Sequence, residues 1–253
     1  MTTASPLASL LGRERLMVAG GLAAVVLLAA AWLVAGAGMD MAAMRPMAWT
    51  PAYAGLVLLM WWAMMAAMML PSAAPMILLF AAVNRRARED GGRHVPTAAF
   101  VLGYLLVWGG FSALATGAQW GLVRAALLSP MMAASSVVLG GVLLIAAGSW
   151  QLTPLKHACL RHCRSPFAFV SRHWRPGAGG AVRMGVLHGA FCLGCCWVLM
   201  GLLFYGGVMN PVWIIGLALF VLVEKCVPFG HAVGALSGLA LIVWGGMVIA
   251  TAW

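Results

Sequence analysis

Apolar residues occupy this chain in long stretches, and the polar residues gather in the short intervals between them. The stretches cover about residues 16–37, 53–82, 97–121, 135–153, 184–207, 211–224 and 230–252. A hydrocarbon core about 30 Å thick needs about 20 helical residues to cross it. Most of the stretches meet that length. The one at 211–224 is short and reads as a tilted, broken or re-entrant segment. The pattern predicts an all-α integral membrane protein: a polytopic helical bundle of about seven transmembrane helices, with six as the alternative. No internal repeat or long linker divides it. Residues 1–253 read as a single transmembrane domain, with a basic Cys/His loop at 154–183 inside it.

Charge orients the bundle. With the N-terminus cytoplasmic, Arg13, Arg15, Arg85, Arg86, Arg88 and Arg93 fall on the inner side. So do Lys156, Arg161, Arg164, Arg172, Arg175, Arg183 and Lys225. Only Arg45 and Arg124 fall outside, which is the bias that sets membrane topology. The location this implies is a bacterial inner membrane, crossed several times. Trp49, Tyr53, Trp120, Trp150 and Trp253 lie near predicted span ends, where amphipathic rings settle. The first stretch is longer than the apolar part of a secretory signal and reads as a retained anchor.

Composition agrees. Hydrophobic residues make up 64% and charged residues 8%, with a mean hydropathy of +1.01. A soluble domain could not cover its surface with that mixture. The net charge of +10 does not signal nucleic-acid binding, because the basic residues sit between apolar runs. The partners expected are a lipid bilayer, a metal ion and a metallochaperone or metalloenzyme, with no nucleic acid.

The metal expectation comes from one stripe. His188, Cys192, Cys195 and Cys196 stand at i, i+4, i+7 and i+8, within about a third of a turn of one helix face. Thiolates and imidazole suit Cu(I) and Zn(II), and polar groups at membrane depth are usually functional. Gly189 and Gly194 let a second helix come close. Cys192-Leu-Gly-Cys195 is also a C-x-x-C spacing, which serves thiol–disulfide exchange. Its place deep in an apolar helix argues against reactive thiols.

Three further segments add donors. Cys159, His162 and Cys163 share a face at i, i+3, i+4 if the inner loop is helical, and Pro154 suits the first turn of such a helix. This loop reads either as a metal-exchange or zinc site, or as a basic interfacial helix. Ten of the 18 methionines fall between Met39 and Met76. Met39, Met41, Met44 and Met47 form an outer loop of thioethers, which bind Cu(I) without forming disulfides. Met60, Met64 and Met68 make a helical row with Met65 and Met69 beside it, which also reads as ordinary packing. Pro71 and Pro75 free carbonyls within that helix and predict a bend. Glu224-Lys225 reads as an interfacial ion pair, with pairing of the carboxylate to Arg or His of the inner loop, or help in moving a cation, as the alternatives. Met68 and Cys195 fall at similar depth, near the midplane.

These residues resemble one bacterial family. Met64-Met65-Ala-Ala-Met68-Met69-Leu-Pro71-Ser-Ala-Ala-Pro75-Met76, then Gln151-Leu-Thr-Pro-Leu-Lys156, carry the first part of the likeness. Cys159-Leu-Arg-His-Cys163-Arg-Ser-Pro166, His188-Gly189, Cys192-Leu-Gly-Cys-Cys-Trp197, Gly207-Val-Met-Asn210 and Glu224-Lys225 carry the rest. The family is that of "predicted metal-binding integral membrane proteins", a domain of unknown function. The resemblance implies a membrane location and metal binding, over about residues 39–231.

The function expected is binding and transfer of a soft metal ion, foremost Cu(I), at or across the membrane. Zinc is the second metal. Haem, with His188 as axial ligand, is the weaker reading. The alternatives are a membrane thiol–disulfide oxidoreductase and a structural or assembly subunit of a membrane metalloprotein complex. The residues favour a non-enzymatic role. No phosphate-cradling loop is present, so ATP-driven pumping by this chain alone is not expected.

Overall fold

The computed structural model describes residues 6–36, 49–89, 95–129 and 132–252. Among these residues the fold is all helical, with a single isolated β-bridge between Leu128 and Ala134. In order the helices are α1 (Pro6–Val34), α2 (Pro51–Glu89), α3 (Thr97–Arg124), α4 (Val137–Gln151) and α5 (Pro154–Arg164). They continue with α6 (Pro166–His173), α7 (Gly177–Gly201), α8 (Leu203–Gly206), α9 (Pro211–Cys226) and α10 (Gly230–Ala250).

Four helices among the described residues are long and apolar enough to cross a membrane: α2, α3, α7 with its continuation to Gly206, and α10. Helices α4 and α5 pass the same test together, as a pair bent by 64°. The cause of the bend is local. Pro154 has no N–H to continue the α4 ladder, and Thr153 caps the new helix by accepting a hydrogen bond from the Lys156 N–H at 3.3 Å. The basic segment expected as an inner loop is therefore mostly the two helices α5 and α6, and α5 packs back against α7.

Small residues set the two closest helix crossings. On α3 and α7, a side chain at Gly103 or Gly185 would run into the partner backbone, at Val182–Val186 and at Phe100–Tyr104 respectively. On α4 and α10 the contact is reciprocal. A Cβ at Gly141 would lie 2.8 Å from the Gly245 carbonyl, and one at Gly245 would lie 2.7 Å from that of Gly141. Gly148 and Gly238 repeat the arrangement, at 2.5 and 2.9 Å. Without a hydrophobic drive between helices in lipid, such backbone-to-backbone packing is what holds them.

The outer surface is apolar: Leu102, Leu106 and Leu114 on α3, Val212, Ile215 and Leu219 on α9, and Leu236, Leu239 and Val243 on α10 are exposed. The interior holds the methionines of α2, the cysteines of α7 and a short list of polar side chains, among them Ser72, Lys156, His188, Glu224 and Lys225. Ser72 follows Pro71 inside α2, and its hydroxyl donates back to the Met69 carbonyl at 2.9 Å. The helix continues through both prolines.

Candidate metal centre

Helix α7 presents His188, Cys192, Cys195 and Cys196 on one buried stripe, as the spacing predicts. Their exposures are 2% for the histidine and 0% for each cysteine. The Cys195 and Cys196 thiols both donate to the Cys192 carbonyl, at 3.0 and 3.1 Å. This is the resting geometry of protonated thiols on a helix. A metal ion would have to draw both away from that carbonyl. Among the described residues, no three His, Cys, Asp or Glu side chains stand ready-arranged around one ion position.

The Cys192 sulfur is the hub. The Lys225 ammonium of α9 donates to it at 3.0 Å, and the Tyr104 hydroxyl of α3 lies 3.1 Å away. Lys225 also donates to the Ser72 hydroxyl at 2.9 Å. Ser72 and Tyr104 both reach the Met69 carbonyl, Tyr104 at 3.2 Å. The result is a closed ring: Cys192, Lys225, Ser72, the Met69 carbonyl, Tyr104 and back to Cys192. It joins α7, α9, α2 and α3 in one layer. Tyr104 has a single proton to share between Met69 and Cys192. An ionised Cys192 would take it, leaving Ser72 to serve the Met69 carbonyl alone.

Helix α5 adds a fourth thiol. Cys163 is in side-chain contact with both Cys192 and Cys195. Cys159 lies one turn earlier against Gly194, where an added Cβ would stand 2.7 Å from its sulfur. His162 turns aside, stacking flat on Phe191 at 4.1 Å with its Nδ1 within 2.9 Å of the Ala158 carbonyl. The three residues expected to act together at the inner surface thus part: Cys163 joins the centre, Cys159 flanks it and His162 packs on an aromatic ring.

His188 occupies an aromatic box made by Phe100, Tyr104 and Phe169, with ring centroids 6.1, 5.9 and 5.3 Å away. Its Nδ1 is buried and has no hydrogen-bond partner among the described residues. An orphaned buried ring nitrogen is costly in a structural histidine, and it fits a donor waiting for a ligand. Beyond the box, Phe100 stacks on Phe80 at 4.9 Å. Phe80 forms part of the wall of a cavity of about 330 Å³, bounded also by Asn84, Val95, Trp174 and Arg175.

Met64 and Met68 lie in the core with Met60, Met65 and Met69, none more than 2% exposed. Helices α2 and α7 are linked across the centre through Tyr104 and Lys225, which join the Met69 carbonyl and the Ser72 hydroxyl to the Cys192 sulfur. Met39, Met41, Met44, Met47, His94 and Trp253 fall outside the described residues. Glu224 and Lys225, adjacent in sequence, part company. Glu224 forms an ion pair with Lys156 of α5, both 1% exposed, while Lys225 goes to the thiol. The sequence pattern singles out Lys225 only together with Glu224, and carries no sign that Ser72 and Tyr104 stand beside Cys192. The signal for Lys225 was its position just inside an apolar run, one residue beyond an acid that α5 already claims.

Residues 58–248 match the model of the PpoB2 family, described as a copper chaperone. The chain belongs to this family. The match covers every described residue of the centre, from Met60 to Lys225. It bears out a metal-related family, and copper in particular, although the family is not the one whose label the motifs first suggested. No curated protein and no solved structure matches the chain.

Proposed function

We propose that this PpoB2-family protein binds Cu(I) inside a helical bundle in the bacterial inner membrane and passes it to a protein partner, as cargo rather than as a resident cofactor. The observation that carries the reading is the meeting of three buried thiols, Cys192, Cys195 and Cys196, with the half-buried Cys163 thiol of α5. Soft sulfur donors with little room for water favour Cu(I) over harder ions. His188, with its orphaned nitrogen, is the nitrogen donor closest in sequence to Cys192.

The layered path begins with Met39, Met41, Met44 and Met47 as an outer capture loop. Met64 and Met68 follow in α2, then the α7 stripe, with Cys159, Cys163 and His162 towards the inner side. Seven spans with the N-terminus cytoplasmic are part of the same proposal, α9 and the bent α4–α5 pair each counting as one. The lysines and arginines of the inner segments support that orientation.

Elemental analysis of anaerobically purified protein tests the reading, wild type beside Cys192→Ser/Cys195→Ser/Cys196→Ser. About one copper per chain, lost in the variant, is the expected result. No metal in either protein, with a disulfide that forms and reduces reversibly in the wild type, would replace it with thiol redox chemistry.

A further inference from the structure

We propose that Lys225 fixes the charge of the ion the centre accepts, admitting a monovalent soft ion and turning away a divalent one. The proposal rests on the reading of Cys192 and its neighbours as ion donors, and it adds the basis of selectivity to that reading.

The argument starts from what surrounds the ammonium group. Lys225 is 8% exposed and is held by the Ser72 hydroxyl at 2.9 Å and the Cys192 sulfur at 3.0 Å. Its hydrogen bonds involve no carboxylate. Of the five acidic residues in the chain, Glu224 alone falls within residues 97–252, and it is paired with Lys156. Among the described residues, neighbouring helices bring Tyr104, Ser72, Met69, His188 and the thiols to this side of the bundle, but no second acid. A fixed positive charge is therefore built into the donor set itself.

A buried cluster is stable when its charges cancel, because a net charge in an apolar interior is strongly disfavoured. Two thiolates, one ammonium and one monovalent ion sum to zero. The same set with a divalent ion carries a net positive charge in a place with little water to screen it. Reaching neutrality with a divalent ion needs a third thiolate, close to the first two. The thiols alone suit both Cu(I) and Zn(II), so they do not make this choice. The ammonium does.

Two effects of Lys225 separate cleanly. Its hydrogen bond to Cys192 competes with any ion for that sulfur and weakens all ions by one common factor. Its repulsion grows with the charge of the ion. The ratio of affinities for ions of different charge, not either affinity alone, therefore reports on the proposal.

Ag(I) and Cd(II) are isoelectronic soft ions that differ by one charge, which makes them the appropriate probes. Full-length protein in detergent is titrated anaerobically with each ion in competition with a chromophoric chelator. Wild type is compared with Lys225→Leu, Lys225→Gln and Lys225→Arg. The ratio of Ag(I) to Cd(II) affinity is expected to fall by about tenfold or more in the two neutral variants and to stay within about threefold in Lys225→Arg. An unchanged ratio in Lys225→Leu and Lys225→Gln, with Ag(I) still bound, overturns the proposal and leaves the metal site standing. If neither neutral variant folds, the wild type decides. Stoichiometric Cd(II) uptake at concentrations that saturate Ag(I), lost in Cys192→Ser, overturns it; exclusion of Cd(II) under those conditions supports it. Wild type that holds no Ag(I) through Cys192 takes down the metal reading itself, and this proposal with it.

Discussion

Lys156 and Lys225 are both buried in the bundle, and they are held in different ways. Lys156 meets Glu224 in an ion pair from which water is almost entirely excluded, and Gly234 of α10 leaves the space that both side chains fill. This clasp cancels its own charge. Lys225, the next residue along α9 from Glu224, meets a thiol and a hydroxyl, and its charge is cancelled only when sulfur is ionised. The clasp pairs its charges as the chain folds, with the second Glu224 carboxylate oxygen buried and without a hydrogen bond among the described residues. One peptide bond separates a structural device from a functional one, and the helix turn between the two residues sends them to different partners.

The sharpest way to break the comparison is at the clasp. Glu224→Leu strands the Lys156 ammonium at 1% exposure, and the expected loss of stability is about 3–5 kcal/mol, read from unfolding in mixed micelles. A loss below about 1 kcal/mol would mean that Lys156 escapes to water, and the clasp would not be structural. The double variant Lys156→Met/Glu224→Leu is expected to return to within about 1–2 kcal/mol of wild type, since an apolar pair of similar volume replaces a buried ion pair at little net cost. Metal content should survive in that double variant, because none of the centre's donors is touched.

At the centre the expected stability effects are smaller. Tyr104→Phe removes the hydroxyl shared by Met69 and Cys192. It should cost about 1–2 kcal/mol while leaving about one copper per chain at equilibrium. Copper lost altogether would make Tyr104 indispensable to the donor set rather than a support for it. The smallest effect is expected at Cys226, whose side chain is exposed. Cys226→Ser should change stability by less than about 0.5 kcal/mol. In the native wild type Cys226 should react with a small maleimide before Cys192, Cys195 and Cys196 do. Equal labelling of all four would show that the centre is open.

Much of the centre was legible because a single helix carries it. The positions of His188, Cys192, Cys195 and Cys196 follow from the helical repeat, and burial on one stripe required no knowledge of other helices. The methionine row of α2 was legible for the same reason. What escaped was every feature that depends on the register between helices. Cys163 and Cys159 are one turn apart on α5, and nothing in their spacing says which one reaches Cys192. Glu224 and Lys225 read as an interfacial couple because adjacent opposite charges near a span end usually are. Their divergence follows from the placement of α5 against α9, which a local pattern does not encode. Tyr104 sits in the middle of an apolar run with no motif to mark it, yet its hydroxyl lies between the Met69 carbonyl of α2 and the Cys192 sulfur of α7.

The bend at Pro154 has a mechanical consequence. Helix α5 carries Lys156 near its start and Cys163 near its end, seven positions apart and therefore close to one face. The first residue grips α9 and the second reaches α7. Helix α5 works as a lever pinned at two points: withdrawing it from the bundle removes a sulfur from the centre and opens the clasp in one stroke. Any such withdrawal carries the full cost of separating two buried charges, so the clasp is the latch that keeps the Cys163 sulfur in place.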